Sequence, residues 1–250
     1  MSLSAYEIRM PSSTDAYAEL SFATRGEIAD HLARTALALI ANKANPRLLD
    51  LGCGTGDLAV RAAVQRGDLE ATAIDVSAAN IAVARSASYK SGVGERVRTI
   101  CTDYLMWDGG LFDLIVSDSV LHLLPIETAV LATRLATNLQ PGGVLIATMP
   151  VRSIGNALRI ALRRGWRATP VAFDKYALTL AVQLYPSFQE KFLAERIPYL
   201  RVLPCRLHDA NLDRLFAAAG LLKILDRTWE SPGLAKLRHR LFAWQRATAQ

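Results

Sequence analysis

Long apolar runs are missing from this 250-residue chain. No stretch approaches the ~20 apolar residues of a membrane span, so no transmembrane helix is expected. The first residues include Glu7 and Arg9 and no unbroken apolar run, so they do not read as a signal peptide. Cysteine is scarce: the three residues at 53, 101 and 205 are odd in number and lack metal-ligand spacing. No metal site is expected from them, and a reducing, cytoplasmic setting is. Internal repeats and low-complexity tracts are also lacking.

What remains is about half apolar and a fifth charged, the composition of a globular protein, and the length suits one large domain or one domain with an elaborated insertion. The net charge of +6 is unevenly placed. Residues 150–206 hold ten basic and three acidic side chains, while the other 19 basic and 20 acidic residues nearly cancel. The basic character therefore belongs to one segment, and it bears on partners rather than on fold.

The most informative stretch is Leu48-Leu49-Asp50-Leu51-Gly52-Cys53-Gly54-Thr55-Gly56-Asp57. It reads as a buried strand, a glycine-rich turn and a helix start. Glycine at alternate positions permits positive φ and lets a ligand lie against bare peptide. The first helical turn adds unpaired N–H groups and a positive dipole end. The dinucleotide fingerprint G-x-G-x-x-G would place its third glycine at 57, which is Asp57. Asp50, two residues before the first glycine, would crowd a pyrophosphate but suits a cationic ligand such as an ammonium or sulfonium group.

Apolar spacing predicts an amphipathic helix from Thr24 to about Lys43, ended by Asn45-Pro46. Strands follow at Arg47 to Leu51, Ala71 to Val76, Val97 to Thr102, Phe112 to Ser117 and Val144 to Met149, the last after a Pro141-Gly142-Gly143 turn. Helices at Gly56 to Gln65, Ala78 to Tyr89 and Ile126 to Leu139 lie between them. Such alternation argues for βαβ units in a parallel sheet with helices on both faces. Ligands of these sheets bind outside the carboxyl ends of the strands. Asp50, Asp75, Asp103 and Ser117 all lie there.

After Pro150 the alternation lapses. Ile154 to Arg167 reads as a helix with Ile154, Ala157, Leu158 and Ala161 on one side and Arg152, Arg159, Arg163 and Arg167 along another. Tyr176 to Tyr185 and Phe188 to Arg196 read as two more. The pattern then resumes with a helix at Asp209 to Ala219 and strands at Leu221 to Trp229 and Leu241 to Arg246.

An acid ending the second strand can accept from both hydroxyls of a ribose, or be a solvated turn carboxylate. Val76 would lie against an adenine face. Asp103, with Thr102 and Tyr104 beside it, would accept from the adenine amino group or serve as a turn cap.

LLDLGCGTG, AIDVS, CTDYL, FDLIVSDSVLHLL and LQPGGVLIATMP, in this order, resemble the motifs of class I S-adenosylmethionine-dependent methyltransferases, nearest the small-molecule branch that includes quinone-biosynthesis-like enzymes. The resemblance covers about Arg47 to Met149. It implies an α/β, Rossmann-like, seven-stranded and mostly parallel sheet whose last strand is antiparallel. One domain would comprise N-terminal cap helices (1–45), a cofactor-binding core (46–150), a helical substrate lid (151–206) and a completion of the sheet (207–250). It implies S-adenosyl-L-methionine as cofactor, with Gly52, Cys53 and Gly54 lining its methionine part and Asp50 and Gly56 also among the cofactor-binding residues. Asp75 and Val76 would hold ribose and adenine, Thr102, Asp103 and Tyr104 the adenine edge, and Ser117 the methionine end. Tyr17 or Arg25 would close over it.

His122 is the candidate general base, or a packed structural histidine; relatives often carry a second histidine next, where this chain has Leu123. His31, His208 and His239 are expected to face solvent. Trp166, Tyr176, Tyr185 and Tyr199 are candidate substrate contacts in a lid suited to a partly apolar, anionic metabolite. Alternatively the aromatics are the lid's own core and the arginines its solvated face, or the segment docks on a membrane surface or an acidic carrier protein. A nucleic-acid methyltransferase is the runner-up, against which stands Ser117-Asp118-Ser119-Val120 in place of the Asn/Asp-Pro-Pro-aromatic motif. A non-catalytic S-adenosylmethionine-binding protein is the third reading, and the chain is expected as a monomer or homodimer.

Overall fold

The computed structural model describes residues 26–194, 196–229 and 237–248. Tyr17 and Arg25 lie outside the described residues. Seven strands form one sheet in the order β3-β2-β1-β4-β5-β7-β6. β1 (Arg47–Leu51), β2 (Glu70–Asp75), β3 (Val97–Cys101), β4 (Phe112–Asp118) and β5 (Leu139–Pro150) are parallel. β6 (Leu221–Thr228) and β7 (His239–Arg246) pair antiparallel, and β7 inserts antiparallel beside β5. The central strands β1 and β4 are buried nearly throughout, as strands covered on both faces must be. Edge strand β6 is exposed along most of its length and carries Lys223, Asp226 and Arg227, charges that discourage pairing with another chain.

Helices α1 (Gly26–Leu39), α2 (Asp57–Gln65) and α3 (Ala78–Lys90) cover one face, where Leu32, Ala36, Leu58 and Ala63 pack on Leu48, Leu114 and Ile146. α4 (Thr128–Thr137) and α8 (Ala210–Ala218) cover the other, packing Leu131, Leu135, Leu212 and Phe216 on Leu49, Ile115, Phe242 and Trp244. The insertion between β5 and α8 contains α5 (Ile154–Arg167), α6 (Asp174–Leu184) and α7 (Glu190–Ala194).

Most expected elements recur within a residue or two. Two differ for local reasons. The Pro141-Gly142-Gly143 turn is not a break before β5 but a bulge within it: Leu139 pairs with Phe112 and Val144 with Leu114. Residues 140–143 thus stand opposite the single Asp113, and Gly142 takes up the strain at φ 73°. The helix expected from Phe188 is α7 alone, preceded by turns. Among the described residues no helix is long and apolar enough to cross a membrane.

Candidate functional site

Strand order reverses between β1 and β4, which opens a crevice outside their carboxyl ends. Gly52, Gly54 and Gly56 line its floor with φ of 74°, 52° and 80°. A Cβ on Gly52 would lie 2.4 Å from the Val120 side chain, and one on Gly56 would lie 2.6 Å from Ala84 Cβ. The turn is therefore packed against the loop after β4 and against α3, and only glycine fits both demands.

Asp50 is buried beneath this turn, and its Oδ2 accepts from Ala59 N at 3.2 Å. α2 starts from Gly56 in a left-handed conformation with no side-chain cap of its own, so Asp50 does that work from the preceding strand. Burial pushes its carboxyl up to about 8, with the charges of Asp118, Asp75 and Asp57 adding to the rise against the Ala59 hydrogen bond. Cys53 is held well above the usual thiol range, by burial first and then by Asp50 and Asp75. Its thiol is not a nucleophile.

Asp75 closes the turn from β2. Its Oδ2 accepts from Gly54 N at 2.9 Å and its Oδ1 from Ser77 N at 2.9 Å and Asn80 Nδ2 at 3.3 Å. Ser77 caps α3, so the same acid fixes the glycine turn and the start of that helix. Val76 and Thr102 are half-buried beside it, with Thr102 N donating to the Asp75 carbonyl. Asp103 Oδ1 accepts from Leu105 N at 2.8 Å, an Asx turn that holds the loop after β3.

The Tyr104 side chain does not face the crevice. It is buried in the core beneath α4, with its hydroxyl donating to Asn138 Oδ1 at 2.9 Å and its ring under Arg134. Ser117, fully buried, donates to the Leu51 carbonyl at 3.2 Å and bridges β4 to β1.

A polar cluster beyond Ser117 has no counterpart among the sequence candidates. Asp118 Oδ1 accepts from Thr148 Oγ1 at 2.5 Å and Ser119 Oγ at 3.1 Å. Ser119 holds a left-handed φ of 62°, the kind of backbone strain that gathers at functional sites. Asp118 could have been found by the strand-end logic that found Asp75. Ser119 and Thr148 carry no such signal.

His122 is buried, edge-on to the His239 ring at 5.3 Å. The expectation that His208 and His239 face solvent is overturned. His208 stacks on Phe242 and meets Asp213 Oδ1 at 3.0 Å, and His239 Nδ1 lies 2.8 Å from the Leu237 carbonyl. Both sit where β7 and its neighbours cross the lid's return, a placement that local pattern does not reveal. His31 is exposed and stacks on Trp229.

The loop bearing His122 is held by Arg206, a buried guanidinium that donates to the carbonyls of Leu121, Leu124 and Ile126 and to Thr128 Oγ1. Cys205 N donates to the His122 carbonyl at 2.7 Å. The return of the lid thus clips the loop after β4 in place.

In the lid, Trp166 donates to Asp174 Oδ1 at 3.1 Å, and Arg201 reaches Asp174 at 2.6 Å and the Thr169 carbonyl at 2.8 Å. Trp166 is therefore part of the lid's internal scaffold. Tyr176 is exposed, with Phe173 and Lys175 against its ring. Tyr185 is half-buried against Phe188. Tyr199 is half-buried, and burial first, then the charge of Asp75, raises its phenol above the usual range. The arginines are not simply a solvated face, since Arg163 turns inward to the Val202 carbonyl. Among the described residues no cluster of His, Cys, Asp or Glu could hold a metal ion.

A family model described as a methyltransferase domain matches residues 42–176. Release factor glutamine methyltransferase of Bordetella pertussis is 41% identical over 92 residues, 35% of this chain and 32% of that protein. The 27-O-demethylrifamycin SV methyltransferase of Amycolatopsis mediterranei is 32% identical over 125 residues, 49% of this chain and 45% of that one. The chain spans about a quarter to a third of the length of the first curated relatives it matches. Among solved structures, magnesium protoporphyrin IX methyltransferase from Synechocystis PCC 6803, with S-adenosylhomocysteine bound, aligns with a TM-score of 0.56 at 16% identity. That alignment covers 93% of this chain and 92% of that one, and at this identity it speaks to the fold.

Proposed function

The chain belongs to the methyltransferase-domain family, with the fold of class I S-adenosylmethionine-dependent methyltransferases, and from that premise we propose that it methylates a small metabolite. The acceptor atom is an oxygen, nitrogen or carbon of a partly apolar, anionic molecule. One observation carries this reading: Asp75, at the end of β2, accepts from the Gly54 backbone at the switch point and so joins two strand ends into one site.

The residues present fit the cofactor. The glycine turn is held at the switch point by Asp75, and that acid with Asp118 nearby suits a ligand with ribose hydroxyls and a cationic group. In this reading Asp75 accepts from the ribose hydroxyls, Val76 lies on the adenine and Asp103 takes its amino group. Gly52 to Gly54 border the methionine part. S-adenosylmethionine supplies an electrophilic methyl group; the protein's share is alignment of the acceptor, which can account for ~7–11 kcal/mol of a barrier. Where the acceptor must lose a proton, His122 takes it, for ~10²–10⁴-fold.

A small acceptor is favoured over a nucleic acid because much of the basic segment is spent internally. Arg163, Arg201 and Arg206 donate to carbonyls or to Asp174 rather than forming a solvent-facing track. The three free thiols suit a reducing cytoplasm. Calorimetry with S-adenosylhomocysteine tests the central claim, and absence of binding would overturn it. A labelled-methyl screen over metabolite extracts then identifies the acceptor; methyl incorporation only into RNA would select the runner-up.

A further inference from the structure

The lid's first helix is amphipathic in the reverse sense for a helix lying on a folded domain. Its polar side faces the protein. Asn156 is fully buried, donates to the carbonyls of Val151 and Arg238 and accepts from Arg238 N. Arg163 and Trp166, on the same side, reach Val202 and Asp174.

The apolar side faces solvent: Ile154, Leu158 and Leu162, one turn apart, are 91%, 63% and 67% exposed. α6 repeats the arrangement, with Tyr176, Leu180 and Leu184 at four-residue spacing and each more than half exposed. Val171, in the link between the two helices, is 71% exposed. Exposed apolar side chains in this number and register mark an interaction surface.

Charge selects the occupant. Arg164, Arg167 and Lys175 are exposed on the same two helices and joined to no carboxylate among the described residues. The nearest acid in sequence, Asp174, is held by Arg201. A second copy of this chain would bring the same uncompensated cations against each other, since a two-fold interface repeats one patch on both sides. An anionic lipid surface offers both an apolar boundary for Ile and Leu and negative headgroups for Arg and Lys.

We propose that the outer faces of α5 and α6 dock on anionic membranes. Ile154, Leu158, Leu162 and Leu180 enter the interface, and Arg164 and Lys175 meet headgroups. The docking is peripheral and places the lid between the lipid surface and the crevice below. It rests on the outer face of the lid alone and stands or falls separately from the methyl-transfer reading.

Co-sedimentation of the full chain with vesicles tests it. Binding is expected to vesicles of phosphatidylglycerol mixed with phosphatidylcholine and to be much weaker with phosphatidylcholine alone. Leu158→Glu with Leu162→Glu should abolish sedimentation. Arg164→Gln with Lys175→Gln should lower the partition coefficient about thirtyfold. Both double variants should keep the parent's affinity for S-adenosylhomocysteine, which reports an intact fold. Failure of the parent to bind anionic vesicles, or equal binding by the variants, would overturn the proposal. Self-association without lipid that disappears in the leucine variant would assign the face to a second copy and overturn it too.

Discussion

The carboxylate of Asp75 accepts a hydrogen bond from the Gly54 backbone at 2.9 Å, tying the end of β2 to the turn that follows β1. Two features 21 residues apart thereby become one site. The acid is also a structural member, because its other oxygen orders Ser77 and Asn80 at the start of α3.

Asp75→Ala should therefore act twice. Loss of a charged acceptor should weaken S-adenosylhomocysteine binding tenfold or more, and loss of the turn contacts should lower stability by about 1–3 kcal/mol. Calorimetry and denaturant melts of the same preparation separate the effects. Unchanged affinity with lowered stability would leave Asp75 a structural role alone.

Asp50 predicts a pH dependence. Its carboxyl titrates at about 8 in the folded chain against 3.8 unfolded. Between those values the folded state carries the extra proton, so stability falls as pH rises through the window. Asp50→Asn should lose less stability than the parent between pH 5 and pH 9 in urea melts. The ligand's ammonium group favours the ionised acid, so affinity for S-adenosylhomocysteine should rise from pH 6 to pH 8 in the parent and stay flat in the variant. A flat parent profile would remove Asp50 from the cofactor's charge balance.

Gly52→Ala places a methyl 2.4 Å from Val120 at a φ of 74°. The strain and the clash together should cost about 2–6 kcal/mol. Val120→Ala in the same chain relieves the clash but not the backbone strain. Partial rescue by the double substitution in thermal melts is the expected result; no rescue would place the whole cost in the backbone.

Arg206 should matter to turnover without touching substrate. Arg206→Lys cannot reach three carbonyls at once, so the loop bearing His122 loosens. Once an acceptor is known, kcat should fall while the affinity for S-adenosylhomocysteine holds. A loss confined to cofactor binding would contradict this assignment.

Cys101 offers a probe of the adenine side. Its thiol is exposed and lies 3.6 Å from the Val76 carbonyl, whereas Cys53 is half-buried with its thiol pushed above the usual range. Maleimide should label the more exposed Cys101 before Cys53, and S-adenosylhomocysteine should slow that labelling if adenine rests beside Val76. Mass spectrometry of labelled peptides reads both.

The order of strands and helices from Arg47 to Pro150, the glycine turn and the acids at the strand ends were all legible in the linear chain. Each is a local property: apolar period, turn chemistry and the position of a polar residue after an apolar run. The same local signals marked Ile154 to Arg167 as amphipathic, yet could not say which side faced inward. Periodicity tells which residues share a face, and only the partners across the fold decide where that face points. Asn156 bonding to Arg238, 82 residues away, is what turns the leucines outward. The burial of His208 and His239, the core placement of Tyr104 and the clamp of Arg206 on the loop after β4 have the same origin. All are contacts between segments distant in sequence, set when the sheet closes and the lid returns across it.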